Sequence, residues 1–176
     1  MKISLVCPTN YYGASATKGI YYPMGILLVG SLIKDTFPAW KVDVIDGELY
    51  EKDELESKIL DTDVLGLSAN TNNYQNCINL ANFAKTCGTR LVIVGGPLAS
   101  AILQHRDRQI PMSELILRNQ RSIDAVIAND GEQSFLEFIR ESQKRNPDYS
   151  RITNLSWKQN QTLIRHNESV LPTQPP

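Results

Sequence analysis

The sequence predicts an α/β domain: a five-stranded parallel sheet covered by helices on both faces, followed by a small C-terminal β-hairpin. Three observations carry that expectation. Short apolar runs alternate with amphipathic segments of helical length from residue 2 to residue 145. Several runs are rich in Val, Ile and Leu without polar alternation, as strands buried on both faces are. Each run stops at small or turn-forming residues, most plainly where Leu91-Val-Ile-Val94 meets Gly95, Gly96 and Pro97.

Residues 2–7 read as the first strand. Residues 23–33 read as a helix, with Pro23 in its first turn and an apolar stripe of Met24, Leu27, Leu28 and Leu32. Residues 42–45 form the second strand, closed by Asp46-Gly47. A short helix over 53–60 opens on Asp53 and Glu56, spaced as a capping box. Residues 64–67 form the third strand, ending at Ser68. Tyr74, Cys77, Ile78, Ala81 and Ala84 recur at helical spacing, with Gly88 placed to end that helix. The fourth strand, 91–94, precedes an irregular stretch from 98 to 119 that is helical over 112–118. The fifth strand spans 125–128. A helix over 132–145 buries Phe135, Phe138 and Ile139, with Asp130 and Gln133 positioned to cap it reciprocally.

Strands alternating with helices require right-handed crossovers. The second strand has charged neighbours on both sides, as an edge strand often does. The expected strand order is therefore 2-1-3-4-5, a flavodoxin-like, doubly wound sheet. After Pro147 the pattern changes: 155–158 and 162–166 flank Gln159-Asn160-Gln161 as a hairpin, and Leu171-Pro-Thr-Gln-Pro-Pro176 reads as an extended linker or tail. The expected division is 1–146 and 147–176.

The totals bound the function. Hydrophobic residues at 41% and charged residues at 21% suit a globular domain with one sizeable core. A net charge of -1 without a basic stripe implies no nucleic-acid partner. The N-terminus lacks the pattern of a signal peptide, and no apolar stretch is long enough to span a bilayer, which reads as a cytoplasmic protein without a membrane partner. Cys7, Cys77 and Cys87 show no metal spacing and read as buried, reduced thiols.

In an open α/β sheet, ligands bind outside the carboxyl ends of the strands. Two glycines there leave room for a large group against the main chain. The first strand runs into a long polar loop containing Thr9, Asn10 and Tyr12. The third ends in Ser68-Ala-Asn70-Thr71-Asn72-Asn73, more small polar residues than a helix cap needs. The fifth ends in Asn129-Asp130-Gly131-Glu132, where a capped helix start also offers backbone N–H groups. Other chemistries find no residues. No Gly-x-Gly-x-x-Gly follows the first strand, no Walker A loop exists, and the strand ends lack the carboxylates of a phosphoacceptor. His105 and His166 read as isolated residues, neither at a strand's carboxyl end. No nucleophile–base pair or metal set is evident. The residues describe a binding module for one large polar ligand, without catalytic groups of its own.

The order of the motifs adds a resemblance. Pro8 and Asn10 follow an opening strand. Then come Tyr22-Pro-Met-Gly-Ile26, Val44-Ile-Asp-Gly47, Val64-Leu-Gly-Leu-Ser68, Val94-Gly-Gly-Pro97, Asp124-Ala-Val126 and Gly131-Glu132. This resembles the N-terminal cobalamin (B12)-binding domain of B12-dependent radical SAM enzymes, from Met1 to about Arg145 and on into the hairpin. The resemblance implies a corrin ring on the carboxyl edge and a nucleotide tail beside the glycines. Gly95, Gly96 and Pro97 would border the tail. Ser68, Asn70 and Thr71 would bond the tail or face the ring. Thr9, Asn10 and Tyr12 would contact corrin amides, and Asn129, Gly131 and Glu132 would close the far side.

Two departures qualify what is implied. B12 domains of mutases carry Asp-x-His-x-x-Gly in the first loop, and this loop has no His. Cobalamin would then sit base-off without a protein imidazole, with the nearest residues among Asn70 to Asn73, an arrangement that eases methyl loss from cobalt. The three cysteines cannot form Cys-x-x-x-Cys-x-x-Cys. S-adenosylmethionine and a [4Fe–4S] cluster would therefore belong to a radical SAM barrel in cis or in trans. The function implied is cobalamin binding in support of methyl transfer to carbon. The alternative is a cofactor-free module of the same fold that positions a peptide or protein substrate for a partner enzyme. A nucleotide-sugar or dinucleotide enzyme is disfavoured by the first loop.

Overall fold

The computed structural model describes residues 1–9, 22–105, 108–160 and 162–170. Its strands are β1 (Lys2–Cys7), β2 (Lys41–Asp46), β3 (Val64–Ser68), β4 (Leu91–Gly95), β5 (Ile102–His105), β6 (Arg108–Pro111), β7 (Ala125–Ile127), β8 (Leu155–Lys158) and β9 (Ile164–His166). Its α-helices are α1 (Met24–Thr36), α2 (Lys52–Lys58), α3 (Tyr74–Thr86), α4 (Met112–Asn119) and α5 (Glu132–Ser142).

The main sheet is seven-stranded in the order β2-β1-β3-β4-β7-β8-β9. Its first five strands are parallel, in the expected order with β2 at the edge. The hairpin lies against them: β8 runs antiparallel to β7, and β9 to β8. Pairing with β8 covers what would otherwise be an open edge of β7. Leu155 is fully buried there, and Trp157 meets the Tyr149 ring edge-on at 5.9 Å.

Successive side chains of a strand point to opposite faces, which divides the core. Leu5, Val64 and Ile93 pack beneath α1 and α5, while Val6, Leu65, Val92 and Val94 pack beneath α2, α3 and α4. Helix α1 approaches β2 closely at Gly30, where an added Cβ would lie 2.6 Å from Val44 Cγ2.

Four local expectations are corrected. The buried face of α1 is Ile26, Gly30 and Ile33, a row at helical spacing in which the glycine is a contact point and not a gap. Met24, Leu27 and Leu28 are therefore turned outward, at 59%, 38% and 52% exposure. Helix α2 starts before Asp53, and the Glu51 N–H donates to Glu54 Oε2. At α5 no side chain caps the first turn; Gln133 Nε2 instead donates to Glu137 Oε1. The irregular stretch contains the antiparallel β5–β6 ribbon. It was hidden by its shortness and polarity, with Gln104 paired to Gln109 and no Gly or Pro turn between.

Among the described residues no helix is long and apolar enough to cross a membrane.

Candidate functional site

The topology places a crevice where β1 and β3 send their connections in opposite directions. A slot of about 130 Å³ opens there, between the N-terminal ends of α1 and α5. Leu5, Gly66 and Ile93 are neighbours in the register of β1, β3 and β4 and form its floor. Ile26 and Val29 wall it from α1, and Ile127 and Phe135 from the opposite side.

Glycine shapes the slot in different ways at different positions. At Gly95 an added Cβ would meet only the Ile127 carbonyl oxygen, at 3.6 Å, and at Gly25 nothing within 4 Å. These two leave space. Gly96 has φ +88°, and its Cβ would lie 2.8 Å from the Ala69 carbonyl oxygen. It is demanded by the backbone, which turns tightly against the end of β3. The Gly95-Gly96 pair thus combines one residue that opens the slot with one that permits the turn. At Gly66 a Cβ would press on Leu5 Cδ2 at 2.7 Å and on the Phe135 ring at 3.1 Å, so the missing side chain lets Phe135 close the floor.

Ser68, Gly95, Gly96, Asn129, Gly131 and Glu132 are brought together on the slot wall. Pro97 and Thr71 are exposed and stand off it. Asn10 and Tyr12 lie outside the described residues. The Thr9 hydroxyl donates to the Gly47 carbonyl at 2.9 Å, and the Thr9 carbonyl accepts from Asn76 Nδ2 at 2.7 Å. Thr9 thus ties the end of β1 to β2 and α3.

The polar surplus after β3 has an internal use. Asn70 Oδ1 accepts from the N–H groups of Asn72 and Asn73, and Asn73 Oδ1 accepts from the Asn70 N–H. Asn73, fully buried, also donates from Nδ2 to the carbonyls of Pro8 and Ser68. Across the slot, Asn129 adopts φ 55°, a left-handed geometry that Asn tolerates. Its N–H donates to Ser100 Oγ, and its Nδ2 to Ser169 Oγ and the Val170 carbonyl. That side chain holds the segment after β9 against the carboxyl edge.

Glu132 is the one acidic or basic side chain on the slot wall among the described residues. Burial, reinforced by Asp46 and Glu48, pushes the Cys7 thiol up to about 11. Burial also raises Cys77; the expected burial of all three thiols holds for Cys77, while Cys7 is half-buried and Cys87, past the end of α3, is exposed. Among the described residues no group of three His, Cys, Asp or Glu is placed to hold a metal ion.

Both histidines end strands after all, His105 in β5 and His166 in β9. Nor is His166 isolated: its Nδ1 lies 2.8 Å from Ser156 Oγ, which donates to Ser113 Oγ at 3.2 Å. Strand register explains the pair, since Ser156 stands opposite His166. It lies in the hairpin and shares no residue with the slot.

Sequence reasoning missed Gly25, Gly66 and Phe135 as slot residues. The signal for Gly66 was a glycine in the middle of an otherwise Val/Leu strand, which marks close approach of another group. Gly25 was legible only once α1 was seen to bury Ile26 and not Met24.

No family model matches the chain. It is 26% identical over 163 residues to an uncharacterized methyltransferase of Pyrococcus horikoshii. The alignment covers 91% of this chain and 33% of that protein, so the chain spans about a third of the relative's length.

Proposed function

We propose that the slot receives the nucleotide tail of a cobalamin held base-off, with the corrin ring across the carboxyl edge of the sheet. The observation that carries this reading is a cradle that side chains would fill: Gly25 faces open space and Gly95 meets only the Ile127 carbonyl at contact distance, beside apolar walls. The residues fit the group. Leu5, Ile26, Ile93 and Phe135 would enclose the aromatic base, while at the mouth Ser68 and the Gly131 backbone would meet the phosphate and Glu132 would accept from the ribose hydroxyls. Bound cobalamin supplies a cobalt-carried methyl group. This chain's part is to bind and orient the cofactor, since the slot offers neither a nucleophile nor an imidazole.

We further propose that the domain serves methyl transfer to carbon in a radical SAM enzyme. The similar Pyrococcus horikoshii protein is named a methyltransferase, and its greater length leaves room for other functional parts. S-adenosylmethionine and the [4Fe–4S] cluster then belong to a barrel in cis or in trans. A second reading draws on Tyr22, Met24 and Leu28, exposed at 78%, 59% and 52% near the slot mouth. They suit a cofactor-free module that presents a peptide or protein substrate to a partner enzyme.

The test is reconstitution of the full chain with hydroxocobalamin, desalting and a visible spectrum. A retained base-off corrinoid, lost in Gly95→Leu with the fold intact, is the expected result. A colourless protein after desalting would sink the cobalamin reading in favour of the second.

A further inference from the structure

We infer that the slot selects among corrinoids by the chemistry of their lower base, accepting an apolar ring such as benzimidazole or phenol and rejecting a purine. This rests on the corrinoid reading and goes beyond it to the class of cofactor that fits.

The argument is one of depth and hydrogen bonding. The floor is the register row Leu5, Gly66 and Ile93, and the row at the mouth is Ser68 and Gly95. The two rows are two residues apart along the strands, a separation of about 7 Å. A fused bicyclic base entering tail-last would lie in that depth, beyond reach of the polar groups above. The side chains that face it there are Leu5, Ile26, Val29, Ile93, Ile127 and Phe135, all hydrocarbon. The strand backbones are engaged with each other, β1 to β3 and β3 to β4, and offer no free donor or acceptor along the floor.

Among the described residues, the polar groups of the slot wall stand at its mouth and not along its floor. Ser68 and Glu132 begin at the level of the mouth, as the last residue of β3 and the first of α5. Asn129 also stands at the mouth, past the end of β7, and its Nδ2 is engaged with Asn154, Ser169 and Val170. A purine's ring nitrogens and exocyclic amine would therefore be stripped of water and left unpaired, whereas dimethylbenzimidazole or phenol buries chiefly hydrocarbon. Groups left unpaired in that way weaken binding by about tenfold or more.

The experiment is a visible-absorbance titration of the full chain with hydroxocobalamin, with a corrinoid carrying adenine as lower base, and with cobinamide, which has no nucleotide tail. Cobalamin is expected to bind about tenfold or more tightly than either of the others. Gly25→Leu, which adds a side chain where nothing lies within 4 Å, is expected to fold normally and to lower cobalamin affinity toward that of cobinamide. Equal affinity for the adenine corrinoid and cobalamin would overturn the selectivity. Equal affinity for cobinamide and cobalamin would show that the tail does not use the slot, overturning the inference while leaving corrinoid binding in place. Failure of all three to bind would overturn both.

Discussion

The two edges of the sheet are built on opposite plans. At the amino edge, the ends of elements are closed by the chain's own charges. Lys2 Nζ donates to the carbonyls of Lys58 and Leu60 at the end of α2, and its N–H donates to Asp63. Asp124 accepts from the Val92 N–H and pairs with Lys85, both at 2.7 Å. Lys158 reaches the carbonyls of Gln120 and Ile123 beyond α4, and burial lowers its pKa. At the carboxyl edge, glycines stand where side chains would fill space, and apolar residues such as Tyr22 and Met24 are exposed. One edge closes its charged groups against the chain's own backbone, with the buried Ser122 Oγ left without a partner there among the described residues. The other leaves apolar space beside a polar rim, which is what a ligand-binding edge requires.

Changes at the two edges should therefore separate stability from binding, and the turn glycine should be the exception. Gly96→Ala forces a Cβ to 2.8 Å from a backbone oxygen at φ +88°. It should cost about 3 kcal/mol in urea unfolding, the largest effect. A near-neutral result would mean that the β4 turn relaxes freely. Asp124→Ala leaves the Val92 N–H without its acceptor and removes the ion pair of Lys85, which keeps the Arg90 carbonyl. Chemical denaturation should show a loss of about 2 kcal/mol, with corrinoid retention unchanged. Lys158→Met keeps the packing of the stem and removes the donor for carbonyls near the end of α4. A loss of about 1 kcal/mol is expected.

The thiols sharpen the comparison through pH. Cys7 is pushed up to about 11, so the folded chain holds its proton after the unfolded chain, near 9.0, has released it. Stability should fall as pH rises from 9.0 toward 11, in proportion to the protons lost on unfolding. In the native protein at pH 8, a maleimide should label exposed Cys87 and spare Cys7 and Cys77. Mass spectrometry of the labelled peptides decides this. The smallest effect is Gly25→Ala, which should stabilise α1 by up to about 1 kcal/mol, since its Cβ meets nothing.

How much of this was legible in the sequence depends on whether a signal was local. The strands Val64–Ser68 and Leu91–Gly95 announced themselves, because a parallel strand buried on both faces has no polar alternation to confuse it. The face of α1 did not, because Gly30 carries no hydrophobic weight and yet marks the contact with β2. The β5–β6 ribbon lacked both apolar periodicity and a turn signal. At the site, Gly95 was readable as a place where the main chain is uncovered, since a glycine at a strand end has a direct spatial meaning. Asn70 and Asn73 were not separable from ligand-binding residues by type: only the loop geometry shows their side chains bonded to backbone groups. Phe135 meets Gly66 only through the topology, so no local pattern could join them.

The most direct test of the two-edge account is the hydroxocobalamin dissociation constant, by visible titration, for three forms of this chain: wild type, Gly25→Leu and Asp124→Ala. Tight binding by wild type and Asp124→Ala, with affinity weakened about tenfold or more in a folded Gly25→Leu, is the expected result. Wild-type affinity in Gly25→Leu, or no binding by the wild-type chain, would contradict it.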